Sequence, residues 1–226
     1  MTLEEKIQAF IETEYRFYSE ELVPYIDLVE VYFGAIPDGL LNEMRKFTGH
    51  ISSATIDKDD APEVRIENIN AAHTHLRRIL LDCFKLMCIH QQDYIKTFQK
   101  KYKYYNTSDV DDGNFDVNLH KKSKSAEDAF KRAKDADNTG KNDKSVRRYT
   151  LESDIPTKEN FVGELDEVYE KYCEAYNAFC EVTNYIDDHF EGVVRVAKKH
   201  IFSKIISFAG WAASIGLAIL LFYLQK

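Results

Sequence analysis

From Ile205 to Leu224 the chain reads IISFAGWAASIGLAILLFYL, a stretch of 20 residues without a charged side chain. As an α-helix such a stretch rises about 30 Å, the thickness of the hydrocarbon core of a bilayer. A buried core helix is the alternative, but such helices are rarely this long and this free of charge. The stretch therefore predicts a single-pass transmembrane helix over 205–224. Ser207 and Ser214 carry hydroxyls that bond back to their own helix, and Trp211 and Tyr223 are amphipathic, with Tyr223 where an interfacial anchor belongs. Arg195, Lys198, Lys199 and Lys204 precede the stretch and Lys226 follows it. The positive-inside rule then keeps residues 1–204 in the cytoplasm, which predicts a single-pass, tail-anchored membrane protein. Small residues recur four apart, as Ala209 and Ala213, Gly210 and Ser214, and Ala212 and Gly216. This spacing lets helix backbones approach closely and predicts a homo-oligomer. A pore through it would be lined by Ser, Gly and small apolar groups.

Little else in the chain calls for a sheet. With nine Gly and four Pro, turn residues are too few for a sandwich or barrel, and charged residues reach 30%. The predicted fold class is all-α: a cytoplasmic bundle of four or five helices with one C-terminal transmembrane helix. A formal net charge of −8 excludes nucleic-acid binding by overall electrostatics. The charge is uneven, however, with lysines concentrated in 96–148 and acids in 152–191. Cys83, Cys88, Cys173 and Cys180 lack CxxC spacing and read as free, buried thiols in a reducing cytosol. The opening MTLEEKIQAF is acidic and amphipathic rather than a signal peptide. No cofactor or metal is expected. The acidic NTSDVDDGNFDVN is not a calcium loop, since Gly113 falls one position early relative to Asp109 and no Glu closes it.

Periodicity divides the soluble part. Leu3, Ile7, Phe10, Ile11, Tyr15, Tyr18 and Leu22 predict a helix over 3–34, with Thr2 as its N-cap and a kink at Pro24. After IPDGL, a second helix is predicted over 38–54, capped by Asp38, with a stripe of Leu40 or Leu41, Met44, Phe47, Ile51 and Ala54. A third, long helix is predicted over 62–104 through Ile66, Ile69, Leu76, Leu80, Cys83, Met87, Tyr94 and Phe98. These make a bundle of residues 1–104. Residues 105–156 keep no lasting period and read as a basic, partly disordered insertion with one short helix near KSAEDAFKRAKDA. The last cytoplasmic helix, 157–204, starts at the cap Thr157. Phe161, Leu165, Val168, Tyr172, Ala175, Phe179, Val182, Ile186 and Val193 step by four and three, skipping a turn at His189, a 3.5-residue period suited to bundle packing. Apart from Gly192 nothing separates this helix from the span, so one helix of roughly 65 residues is predicted to couple the two.

Chemistry centres on LLNEMRKFTGHISSA, residues 40–54, where Glu43 precedes Arg45 and His50. The third helix carries His75, Arg78 and Asp82 at spacings of three and four. The link between the two helices is short, so they pack antiparallel and their polar sets are expected to meet. A His that moves a proton beside an Arg that neutralises phosphate charge suits cleavage of RNA by its own ribose hydroxyl. The plainer expectation is that Arg78 and Asp82 pair along one helix and His50 edges the core. Arg195 and His200 repeat the spacing, inside the basic cluster beside the span.

LLNEMRKFTGHISSA followed by NAAHTHLRRILLDCFK resembles helices of the HEPN superfamily, all-helical domains with an Arg-x4-6-His motif. Joined to a membrane span, the chain most resembles the membrane accessory proteins of RNA-targeting type VI CRISPR systems and similar antiphage effectors. The likeness covers residues 38–90 and the anchor, with Lys46 where the superfamily often has Asn. It implies Arg45 and His50 as the motif pair, catalytic if the domain is a ribonuclease, with the polar cluster of Glu43, His75, Arg78 and Asp82 read from the spacing as their support. It also implies a membrane-anchored, oligomeric antiviral-defence accessory that depolarises the inner membrane when triggered, with Ile205, Gly210, Trp211, Ser214, Gly216 and Leu224 marking its span. Its partners would be the membrane, further copies of the chain, and an RNA-guided effector protein or RNA. A membrane-tethered HEPN ribonuclease and a non-catalytic scaffold are the competing expectations. In KTFQKKYKYY, lysines interleave with aromatics in a way that suits RNA or anionic lipid.

Overall fold

The computed structural model describes residues 2–56, 61–140, 149–150, 152–154 and 167–224, the side chains of 139, 140, 167, 213 and 215–224 excepted. Six helices account for most of them: α1 (Leu3–Phe17), α2 (Val23–Phe33), α3 (Asp38–Ile56), α4 (Pro62–Tyr102), α5 (Phe115–Gly140) and α6 (Glu167–Leu224). No strand occurs among the described residues, so the chain is all-α. It divides into two compact units, Met1–Gln92 with Ser125–Phe179, and Asp93–Lys124 with Cys180–Lys226.

In the first unit, α1 begins with a capping box. The Thr2 hydroxyl accepts from the Glu5 amide while Glu5 accepts from the Thr2 amide, satisfying two amides that a helix start leaves open. Ile7, Phe10, Ile11 and Phe17 are buried. The break before Pro24 takes the form of a wide π-helical turn, Tyr18–Leu22, after which Pro24 sits in the first turn of α2. Proline lacks the amide and clashes with the carbonyl four residues back. Gly34, at φ +74°, closes α2 in the left-handed conformation. α3 then supplies Leu40, Phe47, Ile51 and Ala54 to the core, and α4 supplies Ile69, Leu76, Leu80 and Met87.

The segment 105–156 departs from the expected insertion. Half of it is the 26-residue helix α5, with Phe115, Leu119, Ala126, Ala129, Phe130 and Ala133 buried. Residues of this segment belong to both units. Three of the buried positions are alanine, which packs closely but contributes little to a hydrophobic stripe. In the first unit the Phe130 ring meets Tyr172 at 6.2 Å and Phe179 at 5.9 Å.

Along α6, Val168, Tyr172, Ala175, Phe179, Val182, Ile186 and Val193 are all buried, as the 3.5-residue period predicts. The expected start at Thr157, with Phe161 and Leu165, lies outside the described residues. In the second unit a loop with Asp111 and Asp112 at positive φ joins α4 to α5. Asp111 accepts from the Tyr185 hydroxyl at 2.6 Å and from Asn118 at 2.8 Å. A Cβ at Gly192 would meet this loop at ordinary contact distance, 3.4 Å from Val110 Cγ1.

The expected span extends over residues that are only partly described. Ser214 bonds back to the Gly210 carbonyl at 2.9 Å, and Ile205 and Trp211 are exposed. Gly216 and Leu224 have their side chains outside the described residues. Among the described residues, no helix is long and apolar enough to cross a membrane.

Candidate functional site

α3 and α4 lie antiparallel, as a ladder of polar contacts records. Arg65 Nε donates to the Ala54 carbonyl at 2.8 Å, His50 Nδ1 to Asn68 Oδ1 at 3.1 Å, and His75 Nδ1 to Glu43 Oε2 at 2.6 Å. Numbers fall along α3 as they rise along α4. The short link forces this register, and it brings Glu43, His50, His75 and Arg78 together.

Glu43 is the hub. Its Oε1 takes the Lys46 ammonium at 2.7 Å, and its Oε2 takes His75 and, at 3.8 Å, the Arg78 guanidinium. Burial alone would push the Glu43 carboxyl up. Hydrogen bonds from Lys46 and His75, with their charges, outweigh it and hold the carboxyl below its usual range. Burial lowers the His75 imidazole; the Glu43 bond and charge oppose this, but the charges of His50 and Arg78 add to the lowering. The direction that follows is an ionised Glu43 beside a neutral His75. A carboxylate only accepts, so the proton of His75 stands on Nδ1 and Nε2 is left as the basic nitrogen. Nδ1 of His50 also donates: Asn68 Nδ2 gives its hydrogen bond to the Val64 carbonyl at 3.3 Å, which turns Oδ1 toward His50. The two imidazoles stack with centroids 5.3 Å apart and planes 13° from parallel. The arrangement is two stacked imidazoles, one oriented by a carboxylate, with Arg78 at the edge.

Two expected members stand elsewhere. Arg45 is exposed and donates to Asn42 of its own helix at 3.3 Å. Five residues turn an α-helix through about 140° beyond a full circle, so Arg45 and His50 leave α3 on different faces. Asp82 does not pair with Arg78 but holds Lys85 at 3.1 Å, and Lys85 also reaches Asp137 at 2.8 Å. In the other unit, His200 of the Arg195–His200 pair sets its ring against Tyr105, 5.5 Å away.

A second polar cluster in the first unit escaped the sequence reading. Glu14 is fully buried, accepting from His73 Nδ1 at 3.2 Å and from the Tyr149 hydroxyl. Asn70 holds the Tyr149 backbone from both sides, donating to its carbonyl at 3.0 Å and accepting from its amide at 2.9 Å. The available signal was Glu14 itself, a carboxylate standing in the apolar stripe of α1 between Ile11 and Phe17. No group of three or more His, Cys, Asp or Glu among the described residues is placed to hold a metal ion. Comparison with protein-family models, curated proteins and solved structures finds nothing that matches the chain.

Proposed function

We propose that the chain is a membrane-anchored helical module, held by residues 205–224, whose copies associate in the bilayer and depolarise it when the soluble part is triggered. One observation carries this reading. α6 continues past its buried stripe into a surface of Ile201, Phe202, Ile205, Ile206, Phe208 and Trp211, each at least half exposed. Large apolar side chains on successive turns of one helix need an apolar medium or partner. The uncharged sequence that follows, with basic residues only at its borders, suits a bilayer. The resemblance to membrane accessory proteins of RNA-targeting defence systems, carried by the α3 and α4 motifs, supports a defence role and an RNA-guided effector or RNA as the trigger. Arg45, facing away from His50, is better suited to a surface contact than to a catalytic pair.

A membrane-tethered ribonuclease is the second reading, favoured by the stacked His50 and His75 with Glu43 orienting one of them. Membrane potential in expressing cells, with an RNA-targeting effector supplied, separates the two. The membrane reading expects depolarisation that is abolished by Ile215→Lys/Leu217→Lys, since each charge near mid-span costs about 3 kcal/mol of insertion, and that survives His50→Ala. Polarised cells whose RNA decays only with His50 and His75 intact would replace it with the ribonuclease.

A further inference from the structure

The second unit gathers positive charge at one place. It holds 12 of the 30 basic side chains but only nine of the 38 acidic ones. Seven of these cations fall in two segments distant in sequence, Lys100, Lys101 and Lys103 at the end of α4, and Arg195, Lys198, Lys199 and Lys204 on α6. All seven are exposed, and among the described residues none has a carboxylate partner. The fold brings the segments side by side. Tyr102 packs against Phe190 with centroids 6.4 Å apart, a tight turn follows in which the Tyr105 amide bonds the Tyr102 carbonyl at 3.0 Å, and Tyr105 then meets His200 edge-on. The last lysines of α4 therefore lie alongside α6 between Phe190 and His200, on the approach to its uncharged stretch.

Two carboxylates of this unit are already engaged with other side chains. Asp111 is held at Tyr185 and His189, eleven or more residues and roughly 16 Å of helix before His200, and Asp187 takes the Tyr94 hydroxyl at 2.9 Å. Glu191, exposed one turn before Arg195, is the nearest acid on α6 itself. Tyr104 is 76% exposed, with the Lys103 ammonium 4.4 Å from its ring centre.

We propose that Lys100, Lys101, Lys103 and Tyr104 join Arg195, Lys198, Lys199 and Lys204 in one basic collar that binds the anionic phospholipid headgroups of the bilayer holding residues 205–224. The inference rests on the membrane reading above and adds the lipid class. Unpaired cations from two segments, an exposed tyrosine and an adjoining apolar helix match the order of layers in a leaflet, with charge at the headgroups and apolar groups beneath. Single-stranded RNA fits less well, because base stacking needs free aromatic faces. Tyr102 is buried, Tyr105 is spent on His200, and Lys103 covers Tyr104.

The test is flotation of the purified full chain with vesicles of phosphatidylcholine alone and with one third phosphatidylglycerol, beside the variant Lys101→Glu/Lys103→Glu. Circular dichroism checks that the variant keeps its helicity, and both side chains are exposed. Each lysine near an anionic surface contributes about five-fold in partition. Wild type should therefore prefer the anionic vesicles, and the variant should lose at least about 25-fold of that preference while its partition into neutral vesicles is unchanged. Salt of about 1 M should remove the preference. An equal preference in wild type and variant overturns the collar and leaves the anchor standing. Binding to anionic vesicles alone, lost in the variant, upholds the collar and removes the anchor, and no flotation with either removes both. A gel shift with a single-stranded RNA oligonucleotide that weakens in the variant, with vesicle preference intact, assigns the lysines to RNA and overturns the lipid proposal.

Discussion

His75 makes the stability of the first unit depend on pH in one direction. Burial holds its imidazole below the ordinary 6.5, and the Glu43 bond does not fully restore it. The unfolded chain therefore takes up a proton at a pH where the folded chain does not. Its contribution is fully present above about 6.5 and is lost as pH falls through the lower folded value. Glu43, held below its usual 4.5 despite burial, acts with the same sign at more acid pH. The melting temperature should fall between pH 7 and pH 5, and His75→Gln, which keeps a donor for Glu43, should flatten that fall; an unaltered slope would remove His75 from the account. The buried Glu14 gives a second residue-level expectation. Tyr149→Phe keeps the ring against Phe10, 4.4 Å away, but deprives Glu14 of one donor. A loss of about 1–3 kcal/mol in urea unfolding is expected, and a change below about 0.5 kcal/mol would mean that the hydroxyl is not needed. Glu43, His50, His75 and Arg78 were legible as a cluster because a short link fixes antiparallel register. The place of Arg45 was not, because a spacing written along the sequence hides which face of the helix each residue takes.

Among the elements, α6 and α5 mark the two ends of what sequence reveals. The α6 stripe is made of large apolar residues at a steady period, so Val168 to Val193 could be placed in the core unaided. α5 hides its packing face behind alanines and alternating charges, as in AFKRAKDAD, and only contact with Tyr172 and Phe179 identifies Phe130 as core. The break at Tyr18–Leu22 shows an intermediate case: Pro24 announces a discontinuity, but not that a wider turn upstream absorbs it. The decisive measurement for α5 is Phe130→Ala against Lys131→Ala. Phe130 is 3% exposed, so its truncation should cost about 3–5 kcal/mol, while exposed Lys131 should cost under about 0.5 kcal/mol. Equal, small effects would return α5 to the status of an appended insertion.

For the whole molecule, the division into two units was not legible, because it depends on contacts between segments far apart in the chain. The continuity of α6 was. This helix runs unbroken for 58 residues, about 87 Å, so under the membrane reading it is the covalent path between the buried stripe and residues 205–224. A rigid helix carries a rotation or shift of its packed part to its far end, and glycine removes that stiffness at a cost of about 1 kcal/mol per residue. Four glycines inserted after Lys204 leave the 205–224 sequence and the basic residues intact while uncoupling the helix on either side. Vesicle incorporation should match that of the unaltered chain, and depolarisation in triggered cells should fall several-fold. Depolarisation at full strength would mean that the span acts alone and that α6 serves only to hold the soluble units at the membrane.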